Sequence, residues 1–469
     1  MRAVALTLAF LALGCQARTR PAGAARPRPA SGTGWNVVLV TIDTLRADHL
    51  GLYGYRRDTS PRLDAFARQA FVFDAAYSYW PKTRASMIMM MTGRRPSQNG
   101  YSKTHPVLLD FNPTLASVVK SSGYATAAFV DNANVAAQLG YAKGFDSYLE
   151  TWQQAELATE MDRARAITDG GIEVIRKATP GRPYFLWLHY VNPHTPYMPP
   201  APFDTRFPDA ESRKGPELRV TKGFKEGIHE KLVVPGRRRL GYYVAQYDGE
   251  IAAVDQEVGR LLDALRESGG SATTVVLVTS DHGESLGEHE YYFDHGEDLF
   301  EPSLRVPLIV SVPGAMPGRA ASFASTLDVL PTLLDAVKVS YPPDLAGQSL
   351  LAAVTGGAAS PRERLFAQND YNLRGTFDER FKLVGTPIGD NEQWGLYDRR
   401  ADPGEARNVR QERLDEFRVQ RRELDLYFER MDREWVATRR LVEGRPGEGK
   451  MTPEACEQLK ALNYIQSCR

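Results

Sequence analysis

The apolar positions of this chain fall into two periods, and the switches between them mark out its elements. "NVVLVTID", Asn36 to Asp43, is an unbroken apolar run that ends on a carboxylate. Such a run predicts a strand covered on both faces, as in a parallel sheet. "YATAAFV", "PYFLWLHYV", "TTVVLVTSD" and "RVPLIVSV" predict further strands, while Arg62 to Ala70 and Tyr243 to Arg266 carry apolar residues at helical spacing. Strands alternating with helices predict a doubly wound, mainly parallel α/β sheet. Ligands bind such sheets outside the carboxyl ends of the strands. Three of the predicted strands run into Asp43, into His189 and His194, and into Asp281 and His282. After Leu351 the pattern shortens to "RFKLVG" and "WGLYDRR", followed by a charged helix around Arg410 to Arg430. This predicts a larger body over residues 35–350 and a smaller C-terminal α+β subdomain over 351–469.

The N-terminal pattern differs from all of these. "MRAVALTLAFLALGC" places one Arg before a short apolar run and small residues before Cys15, which reads as a cleaved export signal. The run is too short to span a bilayer alone. Residues 16–34 are rich in Pro, Ala, Gly and Arg, as suits a linker. The other two cysteines, Cys456 and Cys468, lie near the C-terminus and are compatible with one disulfide or with two thiols.

Charge narrows the function classes. The 58 basic residues equal the 58 acidic ones, so no global field attracts nucleic acid, and no basic patch with interleaved aromatics is present. Of the eight histidines, five lie in two loops, "HYVNPHTPY" and "DHGESLGEHEYYFDHG". Asp281 and His282 supply a carboxylate oxygen and an imidazole nitrogen directly after a strand, half of a divalent-metal site. Taken alone, the pair is equally a helix cap beside a buried His. Asp43 supplies the opposite side of a metal site.

"NVVLVTIDTLRADHLGLYGY", "TSPRLDAFARQAFVFDAAYS", "MTGRRP", "GYATAAF", "PYFLWLHYVNPHTPY", "DQEVGRLLDAL", "VVLVTSDHGESLGEH", "RVPLIVSVPG" and "LYDRRADPGEARNV" occur in that order between Asn36 and Asn408, with "LKALNYI" near the end. Together they resemble the successive signatures of the sulfatase family in the alkaline phosphatase superfamily. The resemblance implies an alkaline-phosphatase-like fold and one divalent metal ion (Ca, Mn or Mg, with Zn possible) held by Asp43, Asp281, His282 and the nucleophile. It also implies that His194 contacts the substrate oxygens or leaving group and that His295 fills a later basic, catalytic position in the same site. "LALGCQ" resembles a lipoprotein signal, which implies an exported protein tethered at Cys15 to a membrane, facing the periplasm or cell surface.

The sequence departs from the common sulfatase pattern at several places. Thr44 and His282 stand where the family has a second Asp and an Asn. Asn132 and Asn134 stand in place of a Lys-x-His. The nucleophile motif, Cys or Ser followed by x-Pro-Ser-Arg, has no counterpart cysteine. Registering "YWPKTRASM" on its Arg puts Trp80 at the nucleophile position and implies a dead enzyme. Registering it on Thr92-Gly93 puts Thr83 there, 40 residues after Asp43 as the family spacing requires, with Ala85 in place of the Pro. A Thr is not a formylglycine precursor, so formylglycine is not expected. Thr83 acts instead as a direct nucleophile, an arrangement resembling the lipoteichoic acid synthase and phosphoethanolamine transferase branch.

The leading expectation is thus a metal-dependent hydrolase of a sulfate or phosphate ester, acting through Thr83 on a small-molecule, glycan or lipid substrate. A phosphoglycerol- or phosphoethanolamine-type transferase is the first alternative. A non-catalytic envelope or glycan-binding protein, which the Trp80 register would require, is the second. Lys82, Asn132 and Asn134 are further candidates for substrate contact, whereas His189 reads as a structural residue.

Overall fold

The computed structural model describes residues 34–207, 217–357, 362–387, 393–445, 447, 451–465 and 467. The export signal, Cys15 and all but the last residue of the predicted linker lie outside the described residues. Among the described residues no helix is long and apolar enough to cross a membrane.

The apolar runs form the strands they predict. In chain order the main sheet contains β1 (Asn36–Ile42), β2 (Phe71–Tyr77), β3 (Ala125–Val130), β4 (Ser147–Glu150), β5 (Tyr184–Tyr190), β6 (Thr274–Thr279), β7 (Arg305–Val306), β8 (Leu308–Ser311) and β9 (Gly318–Ser325). Its strand order is β7-β2-β8-β6-β1-β5-β3-β4, with β9 paired to β2. From β6 to β4 every pairing is parallel, whereas β8 runs antiparallel to both β6 and β2. The run "RVPLIVSV" is broken at Pro307, which has no N–H for the ladder.

Alternate residues of β1 enter different cores. Val37 and Leu39 join one apolar cluster with Met87 and Leu330, while Val38, Val40 and Ile42 join another with Ile167 and Ile251. The first face is covered by α2 (Thr83–Thr92) and α5 (Val329–Ala336). The second is covered by α1 (Pro61–Ala67), α3 (Glu160–Arg176) and α4 (Leu240–Glu267). Double coverage is what a central parallel sheet requires, and it explains why these strands read as unbroken apolar runs.

The C-terminal part forms an antiparallel sheet of β10 (Leu365–Gln368), β11 (Arg374–Phe377), β12 (Phe381–Thr386) and β13 (Gln393–Asp398). Two helices follow, α6 (Leu414–Val442) and α7 (Pro453–Ala461). The charged helix therefore runs twelve residues past its expected end. A buried ion network joins this sheet to the main body: Lys382 Nζ lies 3.1 Å from Glu301 and 2.8 Å from Glu405, and Arg399 lies 2.9 Å from Glu301. Cys456, on α7, is disulfide-bonded, and Cys468 lies outside the described residues.

Candidate active site

The parallel strands deliver their terminal residues to one edge. Asp43 follows β1, His189 lies in β5, and Asp281 and His282 follow β6. Gly283, next in line, has no room for a side chain, because a Cβ there would collide with the Pro302 carbonyl. The "DHG" sequence thus lets the strand end pass close to its neighbour. Thr83 opens α2 from the opposite side of the edge, after Lys82 in an extended conformation. α2 is buried along nearly its whole length, which fixes its position by packing.

These elements converge on Thr83. Its Oγ1 lies 3.4 Å from Asp43 Oδ1 and 3.2 Å from His282 Nε2. His282 Nε2 lies 3.8 Å from Asp43 and 3.4 Å from Asp281. Donor atoms of Asp43, Asp281 and His282 all fall within 4.8 Å of one another and are buried. Asn132 Nδ2 donates to the second Asp43 oxygen at 2.5 Å. Asp281 Oδ1 accepts from the His282 and Thr44 amides at 3.0 and 3.4 Å.

Two buried carboxylates this close repel each other. Burial and the Asp281 charge push the Asp43 carboxyl well above the ordinary carboxylate range. A bound cation would reverse that effect. Asp281 Oδ2 is buried without a hydrogen-bond partner, and an orphaned carboxylate oxygen beside a second carboxylate and an imidazole nitrogen suits a hard or borderline divalent ion.

Three histidines at this edge share one tautomer. His282 Nδ1 meets the Gly283 carbonyl at 2.9 Å, His194 Nδ1 meets the Thr195 carbonyl at 2.5 Å, and His295 Nδ1 meets Glu284 Oε1 at 2.9 Å. A carbonyl and a carboxylate accept hydrogen bonds, so each Nδ1 carries the proton and each Nε2 presents a lone pair. Burial and the neighbouring His295 lower the His194 pKa to about 4. Burial and the nearby His282 also push His295 well below its ordinary value. The ring of His295 lies 4.3 Å from that of His282 and 5.0 Å from that of His194. This edge therefore gathers several imidazole Nε2 atoms that present lone pairs, which suits metal ligation and hydrogen-bond acceptance.

The arrangement matches known proteins along most of its length. Residues 35–339 match the Sulfatase family, and residues 287–427 match the N-sulphoglucosamine sulphohydrolase C-terminal family. The chain belongs to the sulfatase family. It is 24% identical over 404 residues to an arylsulfatase of Clostridium perfringens, covering 72% of this chain and 82% of that one. It is 22% identical to an N-acetylglucosamine-6-O-sulfatase of Bacteroides thetaiotaomicron, covering 83% and 85%. The phosphonate monoester hydrolase of Agrobacterium radiobacter superposes with a TM-score of 0.70 at 20% identity, covering 85% of this chain and 96% of that one. That family is one of sulfuric ester hydrolases, and this chain is an enzyme of it.

Within this sulfatase fold, most of the predicted residues meet. Asp43, Thr83, Asp281, His282, His194 and His295 lie together, and Asn132 joins them through Asp43. Asn134 and Lys82 line a neighbouring groove of about 360 Å³, where Lys82 Nζ sits 3.7 Å from Asp370. Trp80 is buried and packs edge-on against Tyr101, 5.5 Å away. His189, read from sequence as structural, does hold Thr41 Oγ1 at 2.8 Å through Nδ1, but its Nε2 faces Asp43 at 3.9 Å.

Sequence reasoning passed over two residues. Glu284, in "DHGES", fixes His295 and accepts from Tyr197 at 3.2 Å. Tyr464, 381 residues after Thr83, places its hydroxyl 2.8 Å from Thr83 Oγ1. The family-like ending "LKALNYI" was the available signal for it.

Proposed function

We propose that this protein hydrolyses a sulfate ester of a glycan or glycolipid in the cell envelope, with Thr83 as its nucleophile. The position of Thr83 Oγ1, 3.2 Å from His282 and 3.4 Å from Asp43, carries the reading. The name of the N-acetylglucosamine-6-O-sulfatase relative supports a saccharide substrate, and the export and lipid-anchor signals at Cys15 support the location.

Asp43, Asp281, His282 and Thr83 would hold a divalent ion. When bound, such an ion would polarise the ester and make a neighbouring hydroxyl more acidic. The chain's own residues supply the rest. Thr83 Oγ1 bonds to sulfur as the sulfur–oxygen bond to the alcohol breaks, and the Thr83 proton ends on the departing alcohol oxygen. The Nε2 lone pairs of His194 and His295 relay it. In the second half the same nitrogens take a proton from water as its oxygen bonds to sulfur. The sulfur–Oγ1 bond then breaks, which releases sulfate and restores the threonine hydroxyl. Asn132 holds Asp43 in place throughout.

A phosphate ester is the second reading, favoured by Thr83 itself, since a phospho-threonine is more readily hydrolysed than a sulfo-threonine. The test is turnover of aryl sulfate, phosphate monoester and phosphate diester by wild type and Thr83→Ala, with Ca²⁺, Mn²⁺, Mg²⁺ or Zn²⁺. Loss of turnover in the variant is expected, by a factor of about 10³ or more. Full activity of Thr83→Ala would remove the nucleophile assignment. Phosphate esters turned over faster than sulfate would select the second reading, and a metal-bound protein inert towards all three would favour a binding role.

A further inference from the structure

Access to the candidate nucleophile is blocked by the chain's own C-terminus. Asp43, Thr83, Asp281 and His282 each have 0% of their surface exposed. An ester group therefore does not reach Thr83 while every side chain stays where it is. The covering group is Tyr464. Its hydroxyl meets Thr83 Oγ1 at 2.8 Å, and its ring lies 5.0 Å from His194 and 5.7 Å from His295. It thus occupies the space between the nucleophile and the two histidines assigned to the departing oxygen.

The other side of Tyr464 faces outward. With Lys82, Arg84 and Asn134 it lines the groove of about 360 Å³. Asn134 Nδ2 is buried there without a hydrogen-bond partner. A groove lined by Lys82, Lys103 and Arg84 against one carboxylate, Asp370, and holding an unpartnered amide donor, suits the approach of an anionic ester.

The segment bearing Tyr464 is held by the disulfide of Cys456 and by contacts to a satellite cluster. Asn463, with φ of 61°, turns the chain at the end of α7 so that the next residue points inward. α7 itself rests on a small apolar cluster of Ala133, Ala455 and Leu459, which meets the first core through Trp152. Gln458 is one of its polar attachments: it accepts from the Ala133 amide at 2.6 Å and donates to Asp131 at 3.0 Å. Small satellite contacts of this kind open more readily than a core.

We infer that Tyr464 is the gate of the active site: the α7 segment keeps it hydrogen-bonded to Thr83 at rest, and it leaves when the ester group comes in through the groove. The inference rests on Thr83 being the nucleophile, and it adds an access-determining residue to that reading. A gate of this kind keeps the catalytic edge dry until substrate displaces it.

Hydrogen exchange on the full-length wild-type protein tests this without any substitution. Inorganic sulfate, at a concentration that saturates its inhibition of nitrophenyl sulfate hydrolysis, is expected to speed exchange in the peptide covering 453–465. Unchanged or slower exchange there would overturn the gate. Variants give a second readout. Tyr464→Ala is expected to raise kcat/KM for a sulfated disaccharide relative to nitrophenyl sulfate by about threefold or more, while Tyr464→Phe keeps the wild-type ratio because the ring still blocks the path. An unchanged ratio in Tyr464→Ala would count against the gate. A fully active Thr83→Ala removes the nucleophile assignment but leaves the exchange experiment readable, because sulfate still has to displace Tyr464.

Discussion

Ser86 Oγ donates a hydrogen bond to the Asp281 main-chain carbonyl at 2.7 Å. The bond ties the first turn of α2 to the end of β6, so the helix that presents Thr83 and the strand that presents the acidic pair are held by one hydroxyl. This explains the Ser of "TRAS" without giving it a chemical role. Ser86→Ala leaves a buried carbonyl without that partner and is expected to cost about 1–3 kcal/mol. Thermal unfolding measures the cost. A loss in kcat larger than the loss in stability would show that the tie also sets the Thr83 position.

Metal removal should act on stability as well as on rate. An ion bound by Asp43, Asp281 and His282 in the native state alone raises the melting temperature with the logarithm of its concentration. Chelator-treated wild type is therefore expected to melt lower and to recover with Mn²⁺ or Ca²⁺. Asp281→Asn should show little response to either ion. An equal ion-dependent shift in Asp281→Asn would place the ion elsewhere.

The ion network around Glu301 predicts an acid-sensitive seam. Burial opposes ionisation of Glu301, but Lys382 and Arg399 outweigh it and lower its pKa to about 2. The unfolded chain therefore binds this proton more readily than the folded one, so the contribution to stability is complete above the ordinary Glu value and is lost as pH falls towards 2. Glu301→Gln is expected to cost about 3 kcal/mol at pH 7, because it leaves buried cations short of a partner. The gap between wild type and variant should close as the pH drops through that window. Denaturant melts between pH 7 and pH 3 measure it, and a constant gap would show that packing rather than charge holds the seam.

Much of this site was legible because its strands are buried on both faces. A run such as "TTVVLVTSD" has few interpretations, and its terminal carboxylate falls at the sheet edge where parallel topology places ligands. The place of Thr83 beside Asp43 and His282 was legible through spacing. β2 and β9 were harder to read, since "FVFDAAY" and "GRAASFAS" carry small or polar residues among the apolar ones, and β9 lies at the margin of the sheet, paired only to β2. The inward face of His189 was hidden because one residue of a strand serves the core through Nδ1 and the site edge through Nε2. Tyr464 was hidden for another reason. No periodicity connects residues 381 positions apart, and only folding shows that the residues after α7 return to the start of α2.

The Lys382 network and the return of Tyr464 have a shared consequence for how the chain can be divided. A protein ending at residue 350 would keep Asp43, Thr83, Asp281 and His282, yet it would expose the Glu301 surface and leave the catalytic edge uncovered. The change of texture at Leu351 is a seam in the sequence, whereas in the folded molecule the later residues form one wall around the candidate site.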